Sequence, residues 1–179
     1  MGAADQAQAK IATTLAALAA KGKLAPADAE AAAARIVPVH ALGDFVSAGL
    51  VIEAIVEDLD VKRRLLRELE VVVAPGAILA TNTSSLSITA LAAGLKRPGR
   101  VVGMHFFNPA PVLPLVEVVS GIATDAQVAA AVHATAAAWG KVPVHATSTP
   151  GFIVNRCARA FYSEALGLLW ERAADAATI

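Results

Sequence analysis

At 179 residues the chain can form one ample domain, or one domain and the start of another, with a core that needs no disulfide or metal staple. Fifteen Lys and Arg balance fifteen Asp and Glu, so no basic face argues for nucleic acid, and much of the 56% apolar content is alanine, with no run near the roughly 18 apolar residues of a membrane span. The single cysteine, Cys157, excludes an internal disulfide and any multi-cysteine metal site, and it reads as a small buried hydrophobe on a helix. No basic patch, apolar core and cleavage site open the chain. A cytoplasmic protein without a metal is expected.

Ala3 to Leu24 is Ala-rich, with Ile11, Leu15 and Leu18 at helical spacing and Gly22 as a stop, and a second helical piece follows Pro26 and ends near Arg35. Ile36 to Val39 is a short β-like run. Leu50 to Val56 is a near-continuous apolar segment of strand length, the kind buried on both faces of a parallel sheet. Asp58 to Val73 reads as a helix with Val61, Leu65, Leu69 and Val72 on one face and Lys62, Arg63, Arg64 and Arg67 elsewhere, broken by Pro75-Gly76. Ala77 to Thr81 is the next strand. Asn82 to Ser85 can cap a short helix from Ser87 to about Ala93, with Ser84 a candidate cap.

Val101 to His105 and Leu115 to Val119 are two further strands separated by a proline-rich turn. Thr124 and Gln127 have the spacing of a capping box for a helix carrying Val128, Val132 and Trp139 on one face. Val142 to Ala146 is a last short strand. After Pro150 the chain reads as helical to about Ala177, with Phe161, Ala165, Leu168 and Leu169 as its apolar stripe. Strand and helix alternate through most of the chain, so an open α/β sheet with helices on both faces is expected.

In such sheets ligands bind beyond the carboxyl ends of the strands. The polar motifs fall there: Glu57 and Lys62 after the first strand, Asn82 to Ser85 after the second, His105 to Asn108 after the third. One shared cleft is expected. Taken alone, His105 and Glu117 read equally as a core histidine beside a strand-edge charge and as a proton-transfer pair in which the carboxylate fixes the imidazole tautomer. Ser84, His105 and Glu117 also have the residue types of a hydrolase triad, but the Gly-x-Ser-x-Gly elbow is absent. His40, His133 and His145 carry no motif and read as packing residues.

Val51-Ile-Glu-Ala-Ile-Val-Glu57, Thr81-Asn-Thr-Ser-Ser-Leu86, His105-Phe-Phe-Asn-Pro109, Leu115-Val-Glu-Val118 and Pro150-Gly-Phe-Ile-Val-Asn-Arg156 together resemble the 3-hydroxyacyl-CoA dehydrogenases, most closely the bacterial hydroxybutyryl-CoA and hydroxyadipyl-CoA branch. The resemblance implies NAD-dependent oxidation of the 3-hydroxyl of an acyl-CoA in fatty-acid or aromatic-acid catabolism. It implies His105 as general base, Glu117 as the group that orients it, and Ser84 and Asn155 as holders of the substrate oxygen. Asn108 and Ser84 would stand on the nicotinamide side of NAD, with Glu57 and Lys62 near the ribose.

Such a site normally opens on a strand, a Gly-x-Gly-x-x-Gly turn and a helix, whose amides receive the pyrophosphate. None of the 12 glycines here is two residues from another. The expectation is therefore an incomplete Rossmann-like doubly wound sheet over residues 1–148, followed over 149–179 by the first long helix of an all-helical domain. Self-association, or association with a missing segment, follows from the exposed helix stripe. The rival expectation is a catalytically inactive remnant or interaction module of the same ancestry.

Overall fold

The computed structural model describes residues 2–179, which separate into two compact units divided between Val46 and Ser47. In the first, α1 (Ala3–Ala20) and α2 (Pro26–Ala34) pair through small side chains, and Gly22 takes a left-handed φ of 67° at the turn. The β-like run Ile36 to Val39 forms no strand. The Ile36 carbonyl is taken instead by the Gln8 side chain at 2.7 Å.

The second unit is built on a five-stranded sheet in sequential order, β1 (Leu50–Glu53), β2 (Ile78–Thr81), β3 (Val101–Phe106), β4 (Leu115–Ser120) and β5 (Val142–Thr147). All neighbours are parallel except β3 and β4, so the sheet is mainly parallel and Rossmann-like. Helix α3 (Leu59–Val72) joins β1 to β2, α4 (Ile88–Ala92) precedes β3, α5 (Ala126–Ala138) joins β4 to β5, and α6 (Val154–Trp170) follows β5. Val102 and Met104 of β3, Val116 and Val118 of β4, and Ala129, Val132 and Ala136 of α5 form one core cluster. Side chains alternate along a strand, so Gly103 and His105 of β3, with Glu117 and Val119 of β4, share the opposite face. Ile88 of α4 packs there.

Several expectations are corrected. β1 stops at Glu53 rather than Val56, because the Glu53 side chain bends back to accept the Ile55 amide at 2.8 Å, and Val56 is left exposed. Lys62 lies on the buried face of α3 and not among the solvated charges. Ser87, not Ser84, caps α4, its hydroxyl accepting from the Ala90 amide at 3.2 Å. Thr124 does not cap α5. Its hydroxyl donates to the Val101 carbonyl at 2.7 Å and accepts from the Gly121 amide, and Asp125 occupies the cap position. α6 starts at Val154 because Gly151 and Phe152 both have left-handed φ, 75° and 48°, and it ends at Trp170, before Ala177. Cys157 is exposed on it.

Gly103 shows how tightly the site face is packed. A Cβ there would stand 2.7 Å from Val119 Cβ and 3.1 Å from Ile88 Cδ1, both in buried side chains that cannot swing away. Gly103→Ala is expected to destabilise the chain by about 1–3 kcal/mol, the usual cost of overpacking, read as a lower urea midpoint at unchanged slope.

Candidate active site

The antiparallel register places His105 directly opposite Glu117 on one face of the sheet. Cross-strand side chains in that relation stand about 5 Å apart at Cβ, close enough for a short histidine–carboxylate contact. Nδ1 of His105 lies 2.7 Å from Oε2 of Glu117, with the histidine 5% and the glutamate 0% exposed. A carboxylate sealed this completely must be met by donors at both oxygens. Its other oxygen, Oε1, accepts the backbone amides of Ile153 and Val154, each at 2.9 Å, at the start of α6.

Because both oxygens of Glu117 act as acceptors, the shared proton belongs on His105 Nδ1. The neutral ring then presents Nε2 as a lone pair. Nε2 has no hydrogen-bond partner among the described residues and is not sealed from solvent. The rings of Phe107 and Phe152, at centroid distances of 4.6 and 5.7 Å, flank the imidazole.

Ser84 and Asn155 line one cleft of about 330 Å³ together with Ser85, Pro150, Gly151 and Arg159. The Asn155 amide donates to the Ser84 carbonyl at 3.3 Å, while the Ser84 hydroxyl makes no hydrogen bond among the described residues. His105 does not line this cleft. The link is the turn between them, since Gly151 borders the cleft and the adjoining Phe152 ring packs edge-on to His105. With no bond from Ser84 to His105, the geometry gives no support to a hydrolase triad.

A second polar cluster binds the ends of β1 and β2. Lys62 Nζ meets Glu53 Oε1 at 2.5 Å, Glu57 Oε2 at 3.4 Å and the Ile55 carbonyl at 3.2 Å, while the Thr81 hydroxyl donates to Glu53 Oε2. Glu57 Oε1 accepts from the Thr83 hydroxyl, the Ser84 amide at 3.0 Å and the Ser85 hydroxyl at 3.2 Å. Burial of Glu57 works to raise its pKa, but the Thr83 hydroxyl, the Ser84 amide and the Lys62 ammonium outweigh it and hold the carboxyl below its usual range. Asn82 Oδ1 accepts the Phe106 amide at 2.8 Å, tying the end of β2 to that of β3. Three strand ends thus meet. Asn108 stands exposed in the loop after β3, and Lys62 is enclosed, so only Glu57 of the β1 pair has an open edge.

Sequence reasoning gave no individual role to Glu53, Thr81, Asn82 and Thr83, which hold the named residues in place. The charge of Glu53 inside an apolar strand was the available signal, because a buried carboxylate needs a cation. Phe152 gave no signal, since a left-handed φ is not encoded in its residue type.

The family model for the 3-hydroxyacyl-CoA dehydrogenase NAD binding domain matches residues 1–149. The chain belongs to that family. It is 52% identical over 154 residues to the 3-hydroxyadipyl-CoA dehydrogenase of Escherichia coli K12, covering 86% of this chain and 32% of that protein. A fatty acid oxidation complex subunit alpha from Psychrobacter arcticus is 45% identical over 159 residues, 89% of this chain and 22% of the relative. The crystal structure of 3-hydroxybutyryl-CoA dehydrogenase from Escherichia coli K12 superposes with a TM-score of 0.93 at 49% identity, covering 95% of this chain and 36% of that one. That of (S)-3-hydroxybutyryl-CoA dehydrogenase from Ralstonia eutropha gives 0.94 at 40% identity, covering 99% and 62%. The chain thus spans between about a fifth and two thirds of these relatives. No helix of the described residues is long and apolar enough to cross a membrane.

The family is an NAD-binding one, and the open polar groups at these strand ends have a chemistry suited to ribose hydroxyls. Glu57 offers a pinned, partly exposed carboxylate for ribose hydroxyls, beside the free Ser84 hydroxyl. The pyrophosphate end has no Gly-x-Gly turn in these 179 residues to receive it.

Two outcomes follow from this geometry. Glu117→Gln can keep the Ile153 and Val154 bonds through its amide oxygen but must turn an N–H toward His105, so the proton should move to Nε2. Imidazole ¹⁵N spectra of the neutral ring should show a protonated Nε2 in the variant and a bare one in the parent. Glu57, with its folded pKa depressed, contributes stability that is present above its ordinary value of 4.5 and lost as pH falls through the folded value. The urea midpoint of Glu57→Gln should therefore trail the parent at neutral pH, and the gap should close as the solution is acidified below that range.

Proposed function

We propose that the chain carries the proton-transfer and substrate-oxygen half of an NAD-dependent 3-hydroxyacyl-CoA dehydrogenase, which converts a 3-hydroxyacyl-CoA to the 3-oxoacyl-CoA. The observation that carries this reading is the buried His105–Glu117 pair, whose carboxylate accepts from the imidazole and from two backbone amides, near the Ser84 and Asn155 cleft. His105 Nε2 removes the 3-hydroxyl proton, and the resulting imidazolium is stabilised by Glu117 at 2.7 Å. The Ser84 hydroxyl and the second N–H of the Asn155 amide would donate to the substrate oxygen as it becomes a carbonyl. NAD, when bound, supplies the acceptor for the hydride leaving C3. Glu57 and Asn108, with Lys62 acting through Glu57, would hold its nicotinamide and ribose end, with Ser84 at the junction.

The family match over residues 1–149 supports a cofactor domain over 1–148, and 149–179 would begin the substrate and oligomer-forming part. Phe161, Tyr162, Leu166 and Trp170 of α6 are 64–88% exposed, which supports self-association or coverage by a further segment. The lone cysteine and the soluble chemistry suit the cytoplasm. The alternative reading is a catalytically inactive remnant or interaction module of that family.

Oxidation of NADH by acetoacetyl-CoA, with the 179-residue chain beside His105→Gln, decides between them. Turnover that falls by about 10²–10⁴ in the variant, the usual worth of a positioned acid or base, is the expected result. No turnover in the parent, with folding intact by circular dichroism, would favour the remnant.

A further inference from the structure

One cation in the cleft has no role in the chemistry above. Arg159 is the only charged residue lining the space shared with Ser84 and Asn155, whose other walls are Ser85, Pro150 and Gly151. It is exposed, and it makes no ion pair or side-chain hydrogen bond among the described residues. An unpaired guanidinium facing a neutral cleft has five donors in a fork that matches a carboxylate or phosphate edge.

We propose that Arg159 is a specificity-determining residue that pairs with an anionic group at the distal end of the acyl chain, so that the cleft favours a dicarboxylate half-thioester over a methyl-ended acyl group. The proposal rests on the dehydrogenase reading, because it takes Ser84 and Asn155 as the holders of the 3-oxygen. Asn155 and Arg159 are four residues apart on α6, which puts their Cβ atoms about 5–6 Å apart on one helix face. A carboxylate two or three carbons beyond C3 lies within reach of that guanidinium. The phosphates of CoA leave C3 in the other direction, beyond C1 and the whole pantetheine arm, so the short separation favours the acyl end. Both are anions, and the test separates them.

Equilibrium binding of 3-oxoadipyl-CoA and of 3-oxohexanoyl-CoA, by titration calorimetry with the full chain, gives an affinity ratio for the carboxylate-ended over the methyl-ended thioester. The parent should favour the former by about tenfold, the low end for a charge-assisted bond because the guanidinium stays solvated, and less at high salt. Arg159→Gln should bring the ratio near one, and Arg159→Lys should recover part of it. An unchanged ratio in Arg159→Gln would overturn the assignment. So would an unchanged ratio with weakened binding of adenosine 3′,5′-bisphosphate, which would give the guanidinium to the CoA phosphate. Equal binding of the two thioesters by the parent would overturn the role of Arg159 alone, whereas failure of both to bind would bring down the dehydrogenase reading with it.

Discussion

The Glu117 carboxylate is the point on which the site depends. It is fully sealed, and a charge in that position is tolerable only when its acceptors are filled. Three donors from two places in the chain fill them: the His105 ring across the sheet, and two amides 36 and 37 residues further on. One side chain therefore does two jobs. It sets the proton on the imidazole, and it fixes where α6 begins, with the positive end of the helix dipole against a negative charge. Phe152 is held at a left-handed φ to make this possible, a strain of order 1–3 kcal/mol for a non-glycine residue. Burial of its ring against His105 offsets that strain.

The ends of the first two strands obey the same logic on a different pair of carboxylates. Glu53 would be untenable in a buried strand without Lys62, and Lys62 would be equally costly on the buried face of α3 without Glu53 and Glu57. Their mutual satisfaction carries outward through Glu57 to Thr83, Ser84 and Ser85. Ser84 is thus held by its backbone from two sides, by Glu57 at its amide and Asn155 at its carbonyl, and its hydroxyl remains unspent. A group positioned this way can serve a reacting oxygen without first giving up a protein partner.

Much of this was legible in the sequence, and the part that was not has physical reasons. Apolar runs bounded by Pro and Gly located all five strands and α3 to within a few residues, because period and breakers act locally. The pairing of His105 with Glu117 was one of two readings of the residues alone, since register depends on a turn whose geometry the Pro-rich segment does not spell out. The motif order resolved what residue type could not. Errors clustered where a side chain overrode the backbone pattern: Glu53 ended β1 early, Thr124 bonded a carbonyl on another strand instead of capping, and the start of α6 followed Glu117 rather than Pro150. Lys62 was misplaced because helical wheels count charge as outward, and only a tertiary partner makes the inward placement possible.

The networks that hold these side chains lie close together in the chain. Every bond that fixes Glu57, Ser84, His105, Glu117 and Asn155 is made between residues 53 and 155, wholly within the second compact unit. None of it waits for a phosphate turn or for a cofactor to draw it together. Their geometry is thus fixed by buried carboxylates whose acceptors the protein itself fills, and a side chain held this way keeps its free atom in place without a ligand to orient it.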